Sequence, residues 1–235
     1  MTSAKPSDLP IHAITFDGPA ASGKSTIALR LAEHLDFLFF DTGVMYRAVT
    51  LAVLARGLDV ENSADCTRVA EETQIDVRPP SKDDGRPNDI LINGEDKTWE
   101  IRDTQVDEAV SEVSVFPGVR QALLKKQRDI GKRGQVVMVG RDIGTVVLPE
   151  ARLKIYLDAS PEERARRRYN ERVERGEQTE YETVLATVKK RDKIDSSREV
   201  APLRPAEDAI ILDSDHKSIE QVFEEVLQIV KEKFL

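Results

Sequence analysis

Short, continuously apolar stretches alternate with helical patterns along most of the chain. A strand buried on both faces has this appearance, because neither face needs polar side chains. Helical patterns such as residues 26–35 lie between several of the stretches, and this alternation is typical of an α/β fold. The pattern predicts a parallel sheet of five strands with helices on both sides, the strands being residues 11–16, 37–40, 136–139, 153–157 and 210–212.

The last helix has the clearest pattern. Ser218 is placed to cap its start, with Gln221 at the third helical position. One apolar stripe follows at helical spacing, and such a stripe is typical of core packing rather than of a binding surface. Its members are Ile219, Val222, Phe223, Val226, Val230 and Phe234.

One segment, about residues 70–103, interrupts the alternation. It is polar and rich in turn formers, and a short strand candidate at residues 89–92 is followed directly by Asn93-Gly94. Asn-Gly is a strong signal for a two-residue hairpin turn. We expect a small antiparallel sheet inserted into the main domain; the alternative is a long disordered loop.

Residues 18–25 have the pattern G-x-x-x-x-G-K-S between the first strand and the first helix. Glycines let the backbone direct several N–H groups at one anion, and the helix adds the positive end of its dipole. In such loops the lysine reaches the β- and γ-phosphates and the serine hydroxyl binds Mg²⁺. The pattern predicts a nucleotide-phosphate site at Gly18, Pro19, Ala20, Ala21, Ser22, Gly23, Lys24 and Ser25, with Ser25 as the metal ligand.

Composition limits the choice of function. The chain has 235 residues, of which 40% are hydrophobic and 33% charged, as expected for a folded globular protein. A net charge of −8 argues against a nucleic-acid polymer as partner, and no apolar run is long enough to span a membrane. A single cysteine, Cys66, excludes an internal disulfide and favours a reducing compartment, so we expect a cytoplasmic protein.

Polar and charged residues follow two of the predicted strands. Tyr46 and Arg47 come soon after the second strand, and Arg141 and Asp142 come directly after the third. Ligands of open α/β sheets bind beyond the carboxyl ends of strands. We therefore expect these side chains to face the phosphate site. The alternatives are that Arg47 is a surface charge and that Asp142 caps a helix or pairs with an arginine.

Two arginine-rich segments follow the fourth strand. Ser160-Pro161 predicts a helix start, and Arg164, Arg167 and Arg168 share one face of that helix. Such a face is often merely solvated, but here it predicts a mobile lid over transferring phosphates. Further on, Arg191, Asp195 and Arg198 recur at helical spacing. They form either a ladder of ion pairs or an edge that binds sugar and phosphate.

These motifs together resemble bacterial cytidylate kinases, a family of nucleoside monophosphate kinases. The resemblance covers about residues 10–234 and departs at Thr42, where some members carry serine. The motifs are the phosphate loop, Asp41-Thr42-Gly43 with Tyr46-Arg47, Phe116-Pro117-Gly118-Val119-Arg120, the run from Gly140 to Val147, and the run from Arg191 to Leu203.

The resemblance implies a phosphate-loop NTPase fold with central strand order 2-3-1-4-5. It also implies a core domain (10–69, 104–158 and 200–235), an insert in the monophosphate-binding region (70–103) and an arginine-rich lid (159–199). The implied reaction is transfer of a phosphoryl group from MgATP to CMP or dCMP, giving ADP and CDP or dCDP. The implied cofactors and partners are thus ATP, Mg²⁺ and the acceptor nucleotide, and the implied state is a monomer.

The resemblance also implies roles for individual residues, and it extends the ATP-phosphate site by one residue, to Thr26. Thr42, Tyr46, Arg47 and Arg141 would bind the acceptor, the arginines largely at its phosphate. Ser111, Arg120 and Asp142 would recognise the cytosine, and Arg191, Asp195 and Arg198 the sugar and phosphate. Catalysis would depend on Lys24, Arg141, Arg164 and Arg168.

Other functions remain open from the residues alone. A regulatory GTPase would need an N-K-x-D tetrapeptide, which is absent from the chain, and a non-catalytic scaffold needs no second anion site. The closest alternative is a phosphate-loop kinase of another small acceptor, such as UMP or shikimate.

Overall fold

The computed structural model describes residues 11–132 and 134–234. They form two compact units. The first contains the described residues up to Phe37 and from Gly131 onward, and the second runs from Leu38 to Ile130. Within the described part of the chain, no helix is long and apolar enough to cross a membrane.

Eight strands and eight α-helices lie within the described residues. The strands are β1 (Ile11–Asp17), β2 (Leu38–Asp41), β3 (Ile75–Arg78), β4 (Asp89–Ile92), β5 (Glu95–Asp96), β6 (Val136–Val139), β7 (Ala151–Asp158) and β8 (Ile210–Asp213). The α-helices are α1 (Lys24–Leu35), α2 (Gly43–Ala55), α3 (Ser63–Glu72), α4 (Thr104–Val113), α5 (Pro117–Gly131), α6 (Pro161–Glu174), α7 (Tyr181–Ser196) and α8 (Ile219–Lys233).

The main sheet has the strand order β2-β6-β1-β7-β8. Since β6, β7 and β8 are the third, fourth and fifth core strands along the chain, this is the expected order 2-3-1-4-5. β1 pairs in parallel with β6 and with β7, and β7 pairs in parallel with β8. Ala13, Ile14 and Phe16 of β1 are fully buried, which explains why the sequence of this strand is continuously apolar.

The insert is an ordered antiparallel sheet, β3-β4-β5, and not a disordered loop. Asn93 and Gly94 both have positive φ, 52° and 88°, and join β4 to β5 in the two-residue turn that their sequence predicts. A second feature stabilises this sheet. The buried guanidinium of Arg86 donates to the carboxylates of Asp84 and Asp96, and these bonds hold the pKa of both acids well below the usual range.

The helix starts follow their capping residues. The Ser160 hydroxyl accepts a hydrogen bond from the Glu163 N–H, and Pro161 is the first residue of α6. Ser218 and Gln221 form a complete capping box at the start of α8. Val222, Val226 and Val230 of α8 are buried as expected. The prediction was wrong for Ile219, which is 50% exposed because the first residue of the capped helix lies at the edge of the buried stripe.

Candidate functional site

The phosphate loop connects β1 to α1 with an unusual backbone. Gly18 has a φ of +146°, and a Cβ on it would lie 2.1 Å from the carbonyl oxygen of Leu157. Ala21 and Gly23 also have positive φ, 60° and 90°. Left-handed residues within such a turn direct backbone N–H groups into a concavity that binds anions. The local backbone is therefore suited to phosphate, and only glycine fits at position 18.

The first residues of α1 carry the predicted chemistry of the loop. Lys24 is buried, and its Nζ donates to the carbonyl of Pro19 at 2.7 Å, so the ammonium lies back across the loop. Ser25 and Thr26 are exposed at the helix start, where the dipole favours an anion.

The donor set near the loop suits Mg²⁺. No group of three His, Cys, Asp or Glu side chains within residues 11–132 and 134–234 is arranged to hold a metal ion. Mg²⁺ retains several waters and binds through one or two protein groups together with substrate phosphates. A single serine hydroxyl beside a phosphate cradle, as at Ser25, is thus a sufficient protein contribution.

Asp17, the last residue of β1, is a buried carboxylate next to the loop. Its two oxygens accept the backbone N–H groups of Ile143 and Gly144, at 2.8 and 2.7 Å. Burial raises its pKa to about 6, and the two N–H groups oppose that rise. Asp17 was not among the predicted residues, although a lone carboxylate at the end of an apolar strand was a usable signal.

Arg141 and Asp142 lie at the carboxyl end of β6, as predicted. Nε of Arg141 donates to the Asp195 carboxylate at 3.0 Å, and Arg198 pairs with the other oxygen of the same carboxylate. Burial tends to raise the pKa of Asp195, but Arg141, Arg198 and Arg191 together hold it below its ordinary value. The structure therefore brings Arg141, at the end of the third core strand, together with Arg198 of the second arginine-rich segment around one buried acid.

Asp142 begins a short π-helical turn, Ile143–Val147, and its side chain is buried. Its carbonyl accepts the N–H groups of Val146 and Val147, at 2.9 and 3.1 Å. π-Helical turns are rare and are often found at functional sites. The turn fixes the backbone from which the predicted base-recognising carboxylate projects.

The second unit contains the other predicted acceptor residues. Arg47 donates to the carbonyl of Ile101 and pairs with Asp107, a partner that was not predicted. Arg120 is buried, donates to the Ser114 carbonyl at 3.2 Å, and lies 5.5 Å from the centre of the Tyr46 ring. Ser111 is half-buried in α4, and Thr42 is buried just before α2. Tyr46 and Arg120 are thus neighbours, whereas Arg47 is engaged elsewhere in the unit.

The two predicted lid arginines of α6 differ in their surroundings. The side chain of Arg164 is 3% exposed; it binds both oxygens of Asp192 and donates to the carbonyls of Ala159 and Ala20. Arg168 is half-buried, and its side chain makes no hydrogen bond or ion pair with any residue that the structure describes. Of the two arginines, Arg168 is therefore the more available for contact with a bound phosphate.

Comparison with known proteins decides the family. The family model described as cytidylate kinase matches residues 14–232, nearly the whole chain. The chain belongs to the cytidylate kinase family. A cytidylate kinase of Anoxybacillus flavithermus is 47% identical over 94% of this chain and 96% of its own, and one of Carboxydothermus hydrogenoformans is 48% identical over 94% and 97%. A shikimate kinase structure from Acinetobacter baumannii matches 96% of each chain at 18% identity and a TM-score of 0.45, too weak to bear on the acceptor.

Proposed function

We propose that this member of the cytidylate kinase family transfers the γ-phosphoryl group of ATP to CMP or dCMP. The observation that carries the proposal is the family match over residues 14–232, which includes both the phosphate loop and the Arg141-Asp142 turn. The acceptor is itself a phosphate, so its attacking oxygen needs no strong base. Positioning and charge neutralisation supply most of the catalysis in such a transfer.

For the donor, we propose that residues 18–26 bind the ATP phosphates through their backbone N–H groups. Lys24 would leave the Pro19 carbonyl to neutralise the β- and γ-phosphates. Mg²⁺, bound through Ser25, would supply charge stabilisation at the transferring group. The left-handed φ angles of Ala21 and Gly23 and the exposed start of α1 support this assignment.

For the acceptor, we propose roles in each unit separately. In the first unit, Asp142 accepts a hydrogen bond from the cytosine amino group, Arg141 binds phosphate, and Arg191, Asp195 and Arg198 bind the sugar and phosphate. In the second unit, Ser111 and Arg120 donate to the base. Thr42, Tyr46 and Arg47 bind the acceptor nucleotide, Arg47 largely at its phosphate. The ion pairs of the buried Asp195 support the roles proposed for Arg141 and Arg198, because they hold both arginines in one orientation.

For the lid, we propose that residues 159–199 close over the phosphates, that residues 70–103 belong to the monophosphate-binding region, and that the remaining core supports both. Arg168 is the better candidate for direct contact with the transferring phosphoryl group. Arg164 would reach it only after leaving Asp192. We further propose a monomer in the cytoplasm whose partners are small nucleotides rather than nucleic-acid polymers.

The test is a coupled assay of ADP release with CMP, dCMP, UMP, AMP and shikimate as acceptors, each at saturating MgATP. The proposal predicts that CMP and dCMP have the highest kcat/KM. The control is ADP release without any acceptor, which should be negligible. A preference for UMP or shikimate would identify the alternative kinases and contradict the assignment.

A further inference from the structure

Two carbonyl groups of the phosphate loop are held by arginines of α6. Nη1 of Arg164 donates to the carbonyl of Ala20 at 3.2 Å, and Nη1 of Arg167 donates to the carbonyl of Ser22 at 3.3 Å. In a trans peptide the C=O and the following N–H point in opposite directions. Holding these two oxygens therefore directs the N–H groups of Ala21 and Gly23 away from α6.

The two residues that follow the held carbonyls are those with left-handed backbone inside the loop. Ala21 has a φ of 60° and Gly23 a φ of 90°. For a non-glycine residue such as Ala21 this conformation is unfavourable, so it persists only where the surrounding structure enforces it. The contacts from α6 are placed to enforce it.

Ser214, in the loop after β8, completes the contact at Ser22. This residue is 2% exposed; its hydroxyl lies 3.2 Å from the Ser22 carbonyl and 2.9 Å from that of Asp158. The same hydroxyl accepts from Nη1 of Arg167 at 3.1 Å, and the Ser214 carbonyl accepts from Nη2 at 2.6 Å. We call Arg167, Ser214 and the Ser22 carbonyl the Arg167–Ser214 brace.

The Arg167 guanidinium is fixed on its remaining side as well, since Nε donates to Glu163 at 3.0 Å. Arg167 thus has four acceptor atoms on three residues, which suits a guanidinium because its several donors have a fixed arrangement. A lysine has the same charge but presents three donors from one point, so it cannot serve all four acceptors.

We infer that the Arg167–Ser214 brace holds the phosphate loop in its anion-binding conformation before the donor nucleotide arrives. Arg167 and Ser214 are thus positioning residues for the donor phosphates, acting through the Ser22 carbonyl. The inference rests on the proposed function only in taking the loop as the site of a nucleotide phosphate. It does not depend on which acceptor is phosphorylated.

The test measures equilibrium binding of MgADP and, separately, of CMP by titration calorimetry, with no turnover. The variants are Ser214→Ala and Arg167→Lys. The matched control is Arg166→Lys, because Arg166 is the adjacent α6 arginine, is 55% exposed and pairs only with Glu163 among the described residues. Each brace variant should weaken MgADP binding roughly tenfold, the effect of one hydrogen bond to a charged group. CMP binding should change by less than about twofold, and the control should bind both ligands as the wild type does.

The double variant gives an independent check. Because Arg167 and Ser214 act on one carbonyl, its loss of MgADP affinity should be smaller than the product of the two single losses. Wild-type affinity for MgADP in both single variants would overturn the inference. So would an equal loss of MgADP and CMP binding, which would indicate general destabilisation. Arg167→Lys keeps the test decisive if Ser214→Ala fails to fold. A wild-type protein that does not bind MgADP would overturn the proposed function together with the inference.

Discussion

Nε of Arg141 lies 3.0 Å from the carboxylate of Asp195, a residue 54 positions further along the chain. The contact joins the end of β6 to the last turn of α7, and Arg198 binds the same carboxylate. Asp195 is almost fully buried, so the pair is shielded from solvent. Removing the acid would leave two cations without their shared partner.

Replacing Asp195 tests this arrangement. Asp195→Ala should lower the free energy of unfolding by about 3 kcal/mol, as expected when one member of a buried ion pair is removed. It should also raise the KM for CMP, because Arg141 loses its fixed orientation. Chemical denaturation and steady-state kinetics measure the two effects. Glu72→Gln, which removes a partly exposed ion pair with Arg56, is the control and should change stability by less than about 0.5 kcal/mol. A stable Asp195→Ala enzyme with normal KM would show that the pair is incidental.

Arg164 and Arg168 should respond differently to alanine. Arg164→Ala leaves Asp192 without its bidentate partner and should destabilise the fold by about 2–3 kcal/mol. Arg168→Ala should leave stability unchanged and reduce kcat more than it raises the KM for CMP, because its proposed contact forms with the transferring phosphate. Thermal denaturation together with kinetics separates the cases, with exposed Arg175→Ala as control. If Arg168→Ala turns over normally, Arg168 is only a solvated charge.

Asp142 should determine the preference for cytosine over uracil. Cytosine offers an amino donor where uracil offers a carbonyl, so a carboxylate pairs with the first and opposes the second. A buried mismatch of this kind can discriminate by about 10⁴ where all partners are desolvated. Asp142→Ala should therefore lower kcat/KM for CMP far more than for UMP. An equal loss of kcat/KM with both acceptors would show that Asp142 contacts the phosphate or supports the fold. Other residues would then recognise the base.

Asp17 should make stability depend on pH in an unusual direction. Burial raises its pKa from 3.8 to about 6, so between these values the folded chain binds a proton that the unfolded chain does not. This group therefore stabilises the fold increasingly as pH falls from about 6 to about 4, by up to about 3 kcal/mol. Asp17→Asn lacks the effect, so the wild type should gain stability relative to the variant over that range. Urea denaturation at pH 7 and pH 4.5 measures the difference, with exposed Glu199→Gln as control. A difference that stays constant with pH would refute the raised pKa.

Local sequence signals predicted most of the fold. Apolar runs marked the core strands, Asn93-Gly94 marked the hairpin of the insert, and Gly18 with Gly23 marked the phosphate loop. The apolar runs reflect burial of the strands. The glycines and Asn93 have the positive φ angles that the two turns require. The first residue of α8, Ile219, was misassigned because a helical period alone does not show where the buried stripe begins.

The contacts around the candidate site were less predictable. The sequence placed Arg164 on the correct helix but could not show that Asp192, 28 positions away, would bind it. Ser214 carried no signal, since a serine in a polar loop resembles many others. Such pairs arise from tertiary packing, which periodicity does not encode.

The most direct test of the central proposal follows the γ-phosphoryl group itself. Purified protein is incubated with γ-labelled ATP, Mg²⁺ and CMP, and the labelled products are separated and identified. Label should appear in CDP, and only when CMP is present. Lys24→Ala should lower the rate by about 10²–10³, the effect of removing one contact that stabilises transition-state charge. Exposed Lys189→Ala should label CDP at the wild-type rate. Label in inorganic phosphate alone, or undiminished transfer by Lys24→Ala, would show that the proposed transfer to CMP is wrong.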